Sequence, residues 1–208
     1  MGLVRRVFRR SIEQADAYAV DWTAANEVAQ GRDGPLWVVL GDSAAQGVGA
    51  TAHDRGYVGL VLARLVDHDR RPWRVVNLSR SGARTREVVD VQWPLARDLN
   101  ADLVTAVIGG NDALHTRRAQ WLNDVGDLTA ALPPGAVVST VPRGIRERKV
   151  RVVNERLRAL AAAHSLLVAD LWTHTGPPYK GLYADGFHPN DAGYVQWADA
   201  LAEPLGLS

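Results

Sequence analysis

Ser43, Gly82, Asn111, Asp185 and His188 are the residues of this chain whose types and spacing best suit chemistry. Acyl transfer needs a hydroxyl activated by an imidazole, a carboxylate that orients the imidazole, and donors that hold an oxyanion. Ser43, in Gly41-Asp42-Ser43, offers the hydroxyl, and His188 offers the base. Asp185 stands three residues before the histidine, so one turn can present both side chains to the same space. Pro189 restricts the backbone just after it. Gly82 has no side chain and can bring a backbone N–H close to a substrate oxygen. The Asn111 amide can donate to the same point. Taken singly, each has a plainer reading: Ser43 as a capping serine, Gly82 and Asn111 as turn residues. Asp42 is expected to cap its own loop by accepting backbone N–H groups, and Asp112 to give structural support.

The elements around these residues give the set its weight. Short apolar, β-branched runs occur at residues 36–40, 74–78, 103–108, 136–141 and 166–171. None alternates cleanly, which marks strands buried on both faces. Helical patterns lie between and after them, at about 57–67, 85–99, 116–132, 145–164 and 191–201. This alternation predicts an α/β fold with right-handed crossovers and a five-stranded parallel sheet covered on both faces. In such sheets ligands bind beyond the carboxyl ends of the strands. Gly41-Asp42-Ser43, Ser81-Gly82, Gly109-Gly110-Asn111-Asp112 and Asp185-Gly186-Phe187-His188-Pro189 all fall at that end.

These four blocks, in this order, resemble those of the SGNH or GDSL hydrolase superfamily. Any one block is weak, and the last is the most specific. The resemblance spans about residues 36 to 200 and implies a three-layer α/β/α, flavodoxin-like sandwich. It implies hydrolysis of carboxylic esters or thioesters without a cofactor. It also implies that Asp185 and His188 serve Ser43, and that Ser43, Gly82 and Asn111 form the oxyanion hole. Ala44 departs from the pattern, which has leucine there; that position usually packs rather than reacts. The expected function is therefore cleavage of a small-molecule carboxylic ester through an acyl-enzyme. Deacetylation of a sugar or glycan and acyl thioester hydrolysis are alternatives, and a non-catalytic binding protein on the same scaffold is a third.

Other readings fit less well. Asp185 and His188 as metal ligands would need a companion histidine at helical spacing, and none is present. Gly47-Val48-Gly49-Ala50-Thr51-Ala52 matches a dinucleotide fingerprint, but Gly47 lies several residues past the first strand and the second ends in Asn77-Leu78 without an acidic residue. Those glycines are read as a flexible loop beside Ser43. There is no Gly-x-Ser-x-Gly elbow.

Residues 1–30 precede the alternating pattern and read as an amphipathic helix, with the hydrolase domain at 31–208. Val4, Val7, Phe8, Ile12, Ala15, Tyr18, Ala19, Trp22 and Ala29 form its apolar stripe over about residues 3–29. The stripe is expected to pack on the domain; contact of Arg5, Arg6, Arg9 and Arg10 with an anionic membrane surface is the lesser expectation. Arg143, Arg146, Arg148, Lys149 and Arg151 form a second basic cluster near the site mouth. The formal net charge of only +1 gives no overall pull toward nucleic acid. The chain has no cysteine, which removes disulfides, thiolate metal sites and cysteine nucleophiles. No run is apolar enough to span a bilayer, and the basic start lacks the apolar core of a signal peptide. A cytoplasmic protein is expected.

Overall fold

Five strands, β1 (Leu36–Gly41), β2 (Arg74–Asn77), β3 (Leu103–Val107), β4 (Val137–Ser139) and β5 (Leu167–Ala169), form one sheet in the order β2-β1-β3-β4-β5. Every pairing is parallel. This computed structural model describes residues 2–207, and side chains from residue 9 to 207. The chain leaves β1 toward β2 on one side and returns to β3 on the other. The carboxyl end of β1 is thus the switch point at which open α/β sheets bind ligands, and Ser43 follows it directly.

The strands lack a hydrophobic alternation because both faces are covered. Leu36, Val38 and Leu40 point into one core with Trp121, Val125 and Leu128 of α6 (Arg118–Ala131) and Val150, Val153 and Leu157 of α7 (Glu147–Ala163). Trp37 and Val39 point the other way, onto Trp22 of α1 (Gly2–Gln30), Tyr57 and Val61 of α2 (Tyr57–Asp69) and Tyr194, Trp197 and Leu201 of α9 (Asp191–Leu205). A one-residue slip of β1 would exchange the two sets, so both cores fix its register.

Shorter helices complete the chain: α3 (Thr85–Glu87), α4 (Trp93–Ala96), α5 (Gly110–His115) and α8 (Leu171–His174). The single helix expected at 85–99 is interrupted by a π turn, Val88–Gln92, just before Pro94. Proline has no N–H and crowds the preceding turn, which favours such an interruption. The strands expected at 136–141 and 166–171 are three residues each in the structure, and the chain departs from the sheet soon after β4 and just before β5, where Leu166 N–H bonds the Ala161 carbonyl at 2.8 Å. Val141 N–H bonds Asn154 Oδ1 at 2.9 Å.

Helix α1 matches its expected length. Ala15, Tyr18, Trp22 and Ala29 are buried. Ile12, assigned to the same stripe by its spacing, is 60% exposed. At 3.6 residues per turn Ser11 falls near the centre of the buried face, and Ile12 about 100° further round. Arg9 and Arg10 are exposed, whereas Val4, Arg5, Arg6, Val7 and Phe8 lie outside the described side chains. Among the described residues no helix is long and apolar enough to cross a membrane.

Candidate active site

The backbone turns sharply once β1 ends. Ala45 and Gln46 N–H groups bond the Asp42 carbonyl at 3.1 and 3.3 Å, and Val48 N–H bonds the Ser43 carbonyl at 3.0 Å. Asp42 Oδ1 accepts the Ala44 N–H at 3.0 Å, so this aspartate caps the loop as its position suggested. Two further groups brace the turn from outside. Gln92, carried by the π turn, donates to the Gly41 carbonyl at 2.9 Å and accepts from its N–H at 2.8 Å. Asn77, at the end of β2, donates to the Ala45 carbonyl at 2.8 Å.

Ser43 lies almost fully buried with its Oγ 2.9 Å from His188 Nε2. His188 Nδ1 lies 2.6 Å from Asp185 Oδ2. Asp185 and His188 share one turn: Asp185 Oδ1 accepts the backbone N–H groups of Phe187 at 2.9 Å and His188 at 2.7 Å. That turn holds its place through an isolated bridge between Tyr183 and Pro189 and through Asn190, whose side chain caps α9 by accepting the Gly193 N–H. Burial would raise the Asp185 carboxyl, but hydrogen bonds from the His188 ring, Ser11 Oγ and the His188 N–H outweigh it and hold the group well below the usual aspartate range. Asp185 is therefore ionised at neutral pH and accepts only. The Nδ1 must carry the proton, which leaves the Nε2 lone pair facing the serine hydroxyl.

Gly47 and Gly49 form no loose loop. Gly47 is buried. A Cβ on Gly49, whose φ is +98°, would stand 2.2 Å from the Pro189 carbonyl oxygen and 3.0 Å from His188 Cβ. The segment is closely packed against the histidine, and the reading of it as flexible is corrected.

Gly82 and Asn111 lie beyond the carboxyl ends of β2 and β3. Gly82 has φ +80° and open space where a Cβ would stand. Asn111 Nδ2 donates to the Ala83 carbonyl at 3.0 Å, and to Asp42 Oδ2 in a long bond of 3.4 Å. The block that carries Asn111 begins a helix, α5, directly after β3. Lys149 caps that helix, donating to the carbonyls of Asp112 at 2.8 Å, Ala113 at 3.0 Å and Thr116. Lys149 belonged to the basic cluster expected at the site mouth. Its ammonium instead faces α5, and burial lowers its pKa. Asp112 supports the same loop, accepting from the Thr85 N–H and hydroxyl at 2.8 and 2.9 Å.

A cavity of about 430 Å³ opens beside Ser43 and His188. Ala44, Val107, Ile108, Leu171, Phe187 and Trp197 line it with apolar surface, and exposed Arg143 and Lys180 stand among its lining. Asp42 also borders it. Burial pushes the Asp42 carboxyl up to about 6, against the opposing pull of the Ala44 N–H and of His188. Sequence reading missed Ser11, Gln92 and this role of Lys149, whose partners lie 174, 51 and 37 residues away in the chain. The signal for Ser11 was its place in a 3-4-4-4 series with Gln14, Tyr18, Trp22 and Asn26.

The model of the GDSL-like lipase/acylhydrolase family matches residues 39–196. Among solved structures the chain resembles LAE5, an α/β hydrolase enzyme from the metagenome of Lake Arreo, Spain. The two are 23% identical over 83% of this chain and 95% of that one, with a TM-score of 0.69. TesA is 24% identical over 83% and 99% of the two chains, with a TM-score of 0.69. The acetylxylan esterase Axe2 of Geobacillus stearothermophilus is 22% identical over 83% and 94%, with a TM-score of 0.67. At these identities the resemblance shows a shared fold. No curated protein sequence matches the chain.

Proposed function

The chain belongs to the GDSL-like lipase/acylhydrolase family and is an ester hydrolase, and from that premise we propose that it is a serine enzyme that cleaves carboxylic esters with an apolar acyl group. The observation that carries this reading is one continuous array at the mouth of an apolar cavity. Ser43 Oγ meets His188 Nε2 at 2.9 Å, and His188 Nδ1 meets Asp185 Oδ2 at 2.6 Å.

In the first step Ser43 Oγ bonds to the acyl carbon while its proton passes to His188 Nε2, and the carbonyl electron pair moves onto oxygen. The imidazolium so formed keeps its Nδ1–H on Asp185, whose charge stabilises it. The backbone N–H groups of Ser43 and Gly82 and the Asn111 amide receive the oxyanion. Of the two Asn111 bonds in the free protein, the 3.4 Å bond to Asp42 is the weak one, and that hydrogen turns to the oxyanion at small cost. The tetrahedral intermediate then expels the alcohol, which takes the proton from Nε2 and leaves the acyl group on Ser43. Water repeats the sequence: His188 takes its proton, the hydroxide oxygen bonds the acyl carbon, and Ser43 leaves with the proton returned.

The apolar lining favours esters of hydrocarbon acyl groups over acetylated sugars, since burying each CH2 is worth about 0.8 kcal/mol. A series of nitrophenyl esters from acetyl to dodecanoyl tests both parts. Turnover is expected to rise from acetyl to medium chains, and Ser43→Ala to abolish it. A rate highest for acetyl, or full turnover by the Ser43 variant, would overturn the reading.

A further inference from the structure

Helix α1 lies before the family-matched residues, yet it reaches the site from two directions. Ser11 Oγ donates to Asp185 Oδ2 at 2.6 Å. Three to fifteen residues further along the same face, four side chains grip the body of the protein. Gln14 accepts the Gly49 N–H and donates to the Ala50 carbonyl, each at 2.8 Å. Tyr18 donates to the same carbonyl at 3.0 Å, and Trp22 Nε1 donates to the Gln46 carbonyl at 3.0 Å. Asn26 bonds both backbone groups of Asn77 on edge strand β2, each at 2.8 Å. The helix is therefore fixed to the very segment that follows Ser43, and its Ser11 touches the carboxylate at the far end of the array.

We propose that Ser11 is a positioning residue of this site, acting on the reacting atoms through Asp185 and His188, so that α1 is a working part of the enzyme. The proposal rests on the serine-hydrolase reading above. An ionised carboxylate has about four acceptor sites. In Asp185 three are filled from its own turn: the Phe187 N–H, the His188 N–H and the His188 ring. These three move with the turn and cannot fix it relative to Ser43. The fourth donor, Ser11, comes from an element anchored on the nucleophile side, so it ties the two ends of the array together. It shares Oδ2 with the imidazole and tempers the pull of that oxygen on Nδ1–H. Without Ser11, Oδ2 becomes the stronger acceptor, the imidazolium is favoured, and the carboxylate keeps only the three bonds of its own turn.

The test compares the full chain with Ser11→Ala and Ser11→Thr, which keeps the hydroxyl. For Ser11→Ala, kcat on a turned-over nitrophenyl ester is expected to fall about tenfold, in keeping with one hydrogen bond to a charged group, with KM within about twofold. The acid limb of its pH–rate profile should move to higher pH. Asp42, the other carboxylate acting on His188, is common to all three proteins and does not produce the difference. Ser11→Thr should restore both values. Nuclear magnetic resonance titration of the His188 ring needs no substrate and should show its pKa higher in Ser11→Ala than in the other two. If kcat, the acid limb and the His188 titration are all unchanged in Ser11→Ala, the proposal is overturned, whatever happens to its melting temperature. If Ser43→Ala keeps full ester turnover while the His188 titration still responds to Ser11, the serine mechanism fails and the Ser11 contact to the array stands.

Discussion

Asp42 and Asp185 border the same site, and their surroundings push their carboxyl groups in opposite directions. An unfolded aspartate titrates near about 3.9. Asp185 is held below that in the fold, so folding releases a proton wherever the unfolded carboxyl still holds one. Its contribution to stability is full above about pH 3.9 and is lost as pH falls toward the folded value. Asp42 is raised to about 6, so between about pH 3.9 and 6 folding takes up a proton. Stability from this group falls as pH rises through that window. Two variants separate the signs in melting curves from pH 3 to 8. The deficit of Asp185→Asn against the parent should shrink as pH falls below about 4. The melting temperature of Asp42→Asn relative to the parent should climb between about pH 4 and 6 and then level. Asn111 gives a kinetic counterpart. Loss of one oxyanion donor costs on the order of a hundredfold in turnover, so Asn111→Ala should lower kcat by about that factor and leave KM little changed. The residues of the proposed array were legible although Ser43 and His188 lie 145 residues apart, because each stands in a short block at a predicted strand end and the blocks together resemble a known set. Ser11 was not, since a serine at residue 11 is given meaning only by a carboxylate 174 residues on.

Element by element, the order of strands and helices was readable from the alternation of apolar runs, while their ends and interruptions depended on tertiary partners. The block at 109–112 follows β3 at once, yet α5 begins at Gly110, and Lys149 of α7 donates to the carbonyls of its Asp112 and Ala113. The helix at 85–99 has a helical period throughout, yet Pro94 follows a π turn that carries Gln92 onto the end of β1. The glycines after Ser43 misled for the opposite reason: they supply closeness, not freedom. Gly49 is where this can be measured. Alanine there must hold a positive φ and stand against the Pro189 carbonyl and His188 Cβ. Overpacking of this kind costs about 1–3 kcal/mol. Gly49→Ala should lose about that much in urea unfolding, and its ester turnover should fall as His188 is displaced.

For the molecule as a whole, the sheet brings to one end groups that are far apart in the chain. Ser43 follows β1, Asn111 lies in the first turn of α5, Asp185 and His188 precede α9, and α1 closes over the turn after Ser43. Two cores, one on each face of the sheet, cover the strands that carry these groups. The apolar cavity lies beside it, reaching Leu171 and Trp197. This pattern of burial explains why the fold class was legible: β-branched runs without alternation have few other homes. The cavity was not, because Leu171, Tyr179, Tyr183 and Trp197, which complete its walls beside the motif residues, stand outside every motif block. In the proposed mechanism this assembly makes one hydroxyl, among all the serines of the chain, a nucleophile. Treatment of the full-length protein with a fluorophosphonate, followed by peptide mass spectrometry, tests it directly. The expected result is a single adduct on Ser43, lost in Ser43→Ala and formed far more slowly in His188→Ala. An adduct on Ser79, Ser81 or any other serine, or labelling of Ser43 at an undiminished rate without His188, would contradict it.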